Sequence, residues 1–108
     1  MDLEIIKNIL IDWVKNKPFI RKVYIYGSRA REDFREDSDL DIALEFDPVD
    51  GDENCLTTWC GEAEIWHEEL QPHFPFKLQL EYYEGDQTPT VKSGVERSCV
   101  LVYEREKI

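Results

Sequence analysis

The 108-residue chain lacks a long apolar run, is short of basic residues and holds no cysteine or histidine pair at metal-ligand spacing. Each shortage removes a class of function. The N-terminal stretch DLEIIKNILIDWVKNK mixes acids and lysines into its apolar residues, which suits neither a signal peptide nor a membrane span. A cytoplasmic protein is expected. Thirteen Lys and Arg stand against 24 Asp and Glu, a net charge of −11. Such a surface repels nucleic-acid phosphates and disfavours a polyanionic macromolecular substrate. A metal-escorted nucleotide, or a basic protein partner, remains open. Cys55, Cys60 and Cys99 form no pairable set and no CxxC zinc half-site, so buried reduced thiols are expected. His67 and His73 have no companion ligand at a suitable spacing and are expected at the surface. Repeats and low-complexity segments are absent.

What is present argues for a packed α/β fold. Apolar residues make up 42% and aromatics 12%, enough for a modest core at this length, and a single domain over residues 1–108 is expected. Ile6, Ile9, Leu10, Trp13 and Val14 recur at helical spacing behind an Asp2 N-cap, and Pro18 closes that helix. A strand over 20–26, rich in β-branched and aromatic residues and apolar on both faces, is expected at the centre of the sheet. A short helix or turn then runs from Ser28 to about Phe34. In DLDIALEF, Leu40, Ile42, Leu44 and Phe46 alternate with Asp39, Asp41, Ala43 and Glu45, a second strand. After a loop, the stripe Leu56, Trp59, Cys60, Ala63, Trp66 and Leu70 marks a helix ending before Pro72. The three tryptophans are expected to be core or interface residues. FKLQLEYYE reads as a third strand, TVKSGVERS as a weak helix, and VLVYE as an apolar tail that packs on the domain or extends the sheet. The expectation is a mixed β-sheet covered by helices, α/β (α+β) in class.

The chemistry concentrates in GSRAREDFREDSDLD, residues 27–41. Gly27 ends a strand and lets backbone amides approach a ligand closely. Ser28 brings a hydroxyl to the start of a short helix, where amides and dipole favour an anion. Asp39 and Asp41 share one strand face, near enough to hold one ion, and are hard oxygen ligands of the kind Mg²⁺ takes beside substrate phosphates. A phosphate cradle next to paired carboxylates equips a site for phosphoryl or nucleotidyl transfer. A calcium loop through Asp37, Asp39 and Asp41 is excluded, since Ile42 and Pro48 stand where glycine and glutamate are needed. Arg31 and Arg35 are expected to salt-bridge or face solvent.

Gly-Ser, ten residues, then Asp-x-Asp resembles the signature of the DNA polymerase β-like nucleotidyltransferase superfamily. The fuller string GSRAR…R…SDLDIAL is similar to its minimal branch, small domains often encoded beside a HEPN partner. Gly27, Ser28, Arg29, Ala30, Arg31, Arg35, Ser38, Asp39 and Asp41 match it, whereas Glu32 stands where the branch usually has glycine. The resemblance covers residues 20–46 and implies a nucleotidyltransferase-type fold. It further implies that Asp39 and Asp41 hold Mg²⁺ or Mn²⁺, that Gly27 and Ser28 bind a nucleoside triphosphate, and that a hydroxyl attacks the α-phosphorus. Arg29 is expected either to join the nucleotide contacts or reach a partner, or to pair at the surface with Glu32 or Asp33. AMP transfer from ATP to a partner toxin is the implied reaction. A third carboxylate is implied on the third strand, which has no aspartate: Glu81 reaches towards the metal, while Gln79 on the same face is neutral. The alternative is a catalytically weak or inactive binding module, an antitoxin acting by contact with a basic partner. Exposed tryptophans or an open sheet edge would also permit a homo-oligomer.

Overall fold

The computed structural model describes residues 1–31, 33–49 and 51–105. Asp2 caps helix α1 (Leu3–Val14), its carboxylate accepting the Ile5 N–H at 3.0 Å, and the expected stripe turns Ile6, Leu10 and Val14 inward. Strand β1 (Ile20–Tyr26) leads into α2 (Ser28–Arg31), then β2 (Leu40–Phe46), α3 (Cys55–Leu70), β3 (Leu78–Tyr82), α4 (Pro89–Arg97) and β4 (Cys99–Glu104). The sheet order is β3-β2-β1-β4. β1 runs antiparallel to β2 and β4, and β2 parallel to β3, so the sheet is mixed.

One sheet face is dry. Val23 and Ile25 of β1, Leu40, Ile42, Leu44 and Phe46 of β2, and Leu78 of β3 join the inward residues of α1 and α3 in one core. Burying each such side chain contributes roughly 1.5–3 kcal/mol against conformational entropy. Trp66 is buried, and Trp13 and Trp59 pack against the same core. The other face carries Tyr24, Tyr26, Asp41, Ala43, Gln79 and Glu81. α4 lies over part of it, its Gly94 so close to the Tyr26 ring that a Cβ there would stand 3.0 Å from it.

Several expectations need correction. β1 is central, but its buried residues face one side only, and Tyr24 and Tyr26 are half-buried. α2 stops at Arg31, because the chain turns back instead and Ser38 Oγ accepts the Arg35 N–H at 2.8 Å. The tail forms the edge strand β4, which leaves Cys99 exposed; Cys60 is exposed on α3, and only Cys55 is partly buried. Leu56, assigned to the apolar stripe, is 57% exposed at the first turn of α3. His67 is half-buried, its Nε2 lying 3.0 Å from the Leu78 carbonyl oxygen. Glu32 lies outside the described residues. No helix among the described residues is long and apolar enough to cross a membrane.

Candidate functional site

Gly27 ends β1 at φ +76°, a left-handed conformation that side chains disfavour. Its carbonyl accepts the N–H of Ala30 at 3.1 Å and of Arg31 at 3.2 Å, so α2 begins immediately at Ser28. Space gives a second reason for glycine. A Cβ at this position would overlap Asp41 Oδ2 and stand 3.4 Å from Asp41 Cγ. The carboxylate therefore lies directly against the glycine corner.

Strand register builds the rest. Asp41 pairs with Tyr26 on one side and Gln79 on the other, and Ala43 pairs with Tyr24 and Glu81. Paired residues share a face. One row across the open face is thus Tyr26–Asp41–Gln79, and the next is Tyr24–Ala43–Glu81. Asp39, one residue before β2, receives a 2.9 Å hydrogen bond on Oδ2 from Gln79 Nε2. Asp39 and Asp41 are brought together with Gln79. Glu81 stands one row further on, opposite an alanine. Among the described residues no three His, Cys, Asp or Glu side chains converge as a metal cage.

The electrostatics follow from this crowding. Burial, then the Asp39 charge, then Glu81 push the Asp41 carboxyl above its ordinary range, and Arg31 opposes them. The Tyr26 phenol is pushed up to about 12 by burial, with Glu81 and Asp41 adding to it. It stays protonated and adds no negative charge to the row. Two close carboxylates suit a divalent cation that draws its remaining oxygens from a phosphate chain. Asp39 and Asp41 are the residues that fit one.

Arg29 is used differently from the expected nucleotide contact. Its side chain is 2% exposed. Nε and Nη2 donate to the Ser38 carbonyl at 3.2 and 2.9 Å, and Nη2 also to the Glu36 carbonyl at 3.2 Å. The guanidinium carbon lies 3.7 Å from the Phe76 ring centroid and 4.7 Å from that of Phe34. Arg29 thus clamps the turn that delivers Asp39, while Arg31 pairs with Asp33 at 3.2 Å. Arg29→Ala is expected to cost about 3 kcal/mol in urea unfolding, since it strips two carbonyls of their charged donor and opens a gap between two rings. Arg29→Lys is expected to recover little, because an ammonium cannot span both carbonyls as a planar fork does.

Sequence reasoning missed Tyr26 and the donor role of Gln79. Alternation along β1 places Tyr24 and Tyr26 on one face, a usable signal for Tyr26. Pairing across to β3 had no such local signal.

The sequence matches the family described as "Polymerase beta, Nucleotidyltransferase" over residues 8–108. No curated protein matches. Among solved structures, a toxin–antitoxin crystallised with AMP-PNP is similar at 18% identity and a TM-score of 0.67, covering 93% of this chain and 74% of that one. A mutant of the toxin–antitoxin MntA-HpeT gives 17% identity and a TM-score of 0.65 over the same shares. A Sulfolobus solfataricus protein proposed to be a nucleotidyltransferase gives 22% and 0.54, over 97% of this chain and 82% of that one. At these identities the likeness is one of fold.

Proposed function

The chain belongs to the Polymerase beta nucleotidyltransferase family, and from that premise we propose that it transfers a nucleoside monophosphate, AMP from ATP, to a hydroxyl of a partner protein. One observation carries the proposal: Asp41, neighboured by Asp39, lies against the Gly27 corner. Gly27 and Ser28 receive the β/γ end of the triphosphate. Asp39 and Asp41 would hold Mg²⁺ or Mn²⁺, and the cation would neutralise charge on the triphosphate and on the pyrophosphate leaving group. Tyr26, held protonated, adds no negative charge beside the carboxylate pair. Glu81, one row away and outside the Asp39–Asp41 pair, is the carboxylate placed to accept the proton of an attacking hydroxyl. Arg29 fixes the turn before Asp39 and does not reach the nucleotide.

A protein acceptor is supported by two similar folds that come from toxin–antitoxin assemblies. The net charge of −11 suits a basic partner, of HEPN type by the resemblance. The test supplies ATP labelled at the α- or γ-phosphate, Mg²⁺ and candidate partner protein. Label from the α-position alone should enter the partner, and chelation should abolish it. Failure to bind ATP with Mg²⁺ by calorimetry would overturn the proposal. Binding without transfer would favour a contact-only antitoxin, the reading that the neutral Gln79 beside Asp39 supports.

A further inference from the structure

We propose that Gln79 is a neutral latch on Asp39 that keeps free divalent ions off the site, so that the cation enters only together with the phosphates of a nucleotide. The inference rests on the nucleotidyltransferase reading above and concerns the order in which that site fills.

The latch is built into the sheet. Gln79 stands opposite Asp41 in the parallel β2–β3 pair. Its amide nitrogen donates to Asp39 Oδ2 at 2.9 Å. An amide donor presents positive hydrogens and contributes no negative charge. One Asp39 oxygen is thus partly satisfied before any ion arrives. The strand that carries it is also held from behind. Gln71, the C-cap of α3, accepts the Leu78 N–H at 2.9 Å and donates to the Phe76 carbonyl at 2.8 Å, and His67 Nε2 lies 3.0 Å from the Leu78 carbonyl oxygen. These contacts fix the backbone just before Gln79 and so set where its side chain starts.

A free ion would therefore meet little. Mg²⁺ demands near-octahedral oxygen coordination and gives up its water reluctantly. Asp39 offers an oxygen already in a hydrogen bond. Asp41 is crowded by burial and by its acidic neighbours. Glu81 is registered opposite Ala43, outside the pair. A triphosphate changes the balance, because its oxygens complete the coordination that the protein leaves unfilled. Selection for the nucleotide-bound ion then follows from the Gln79 hydrogen bond together with the few oxygens the protein offers.

Manganese titration, with unbound Mn²⁺ read by electron paramagnetic resonance, tests this with and without a non-hydrolysable ATP analogue. The wild type should hold Mn²⁺ alone only on the order of millimolar. Gln79→Asp should tighten free Mn²⁺ by at least about tenfold, since it replaces a donor with a charged ligand. Gln79→Met, similar in volume but without the N–H, should tighten it about threefold by releasing Asp39 Oδ2. A merely structural role for Gln79 would loosen the site in both variants, and thermal melts identify any variant that is not folded. Wild type that binds free Mn²⁺ as tightly as Gln79→Asp would overturn the latch. So would a folded Gln79→Met whose affinity falls. If the variants tighten free Mn²⁺ as expected but none binds the ATP analogue, the latch stands and the nucleotidyltransferase reading fails.

Discussion

Gly27→Ala is expected to lower stability by at least about 2 kcal/mol and to abolish ATP binding in the same protein. The first part comes from the backbone. A residue with a Cβ at φ +76° costs roughly 1–2 kcal/mol in the left-handed region. The second part comes from space. The new methyl overlaps Asp41 Oδ2, so either the corner opens or the carboxylate swings away. Moving the carboxylate would separate it from Asp39 and from the amides at the start of α2. For a domain of this length a loss of 2 kcal/mol lowers the melting temperature by roughly 8–15 °C. Differential scanning calorimetry checks the first part and isothermal titration with MgATP the second. Gly51, also at positive φ but with nothing within 4 Å of a Cβ, is the control. Gly51→Ala should pay only the backbone term and leave ATP binding unchanged.

The second large effect separates stability from activity. Asp41→Asn is expected to remove transfer by on the order of 10²–10³-fold, the cost of losing a charged group aimed at the reacting phosphates, while making the folded protein more stable. The sign follows from the raised pKa of Asp41 in the folded state. A carboxyl that holds its proton more tightly when folded destabilises the fold at neutral pH, and that penalty is relieved as pH falls through the folded-state value. Asparagine removes the penalty at every pH. The group is only half-buried, so solvent screening keeps the gain small, and a rise in melting temperature reads its sign. The gain should fade as pH drops through the raised folded-state value, where the wild-type carboxyl takes up its proton. A melt series from pH 4 to 8 reads this directly. An Asp41→Asn protein that melts lower than wild type at pH 7 would show that the pair is already compensated in the empty site.

The elements that could be read from the sequence are those whose signals are local. Alternation through Leu40, Ile42, Leu44 and Phe46 needs no partner to reveal a strand with one dry face. Gly27 before Ser28, and two aspartates two apart on that strand, likewise mark the corner and the carboxylate pair. What stayed hidden depends on distant contacts. Gln79 and Glu81 alternate onto one face, but only the parallel register with β2 puts Gln79 beside the aspartates and Glu81 a row away. That register is set where α3 meets the Phe76–Leu78 segment. Arg29 belongs to the motif, yet its burial depends on Phe76, far along the chain. Cys60 and Cys99 escape the burial usual for their residue type, because one falls on the outer side of α3 and the other on an edge strand.

The hold of α3 on the start of β3 also has a consequence during synthesis. Gly27, Asp39 and Asp41 leave the ribosome early, but their neighbour Gln79 docks only after α3 has formed and laid β3 alongside β2. An unfinished chain therefore carries the motif without the Gln79 amide that bonds Asp39. Under the proposed function, nucleotide would stabilise only copies that have completed this crossover.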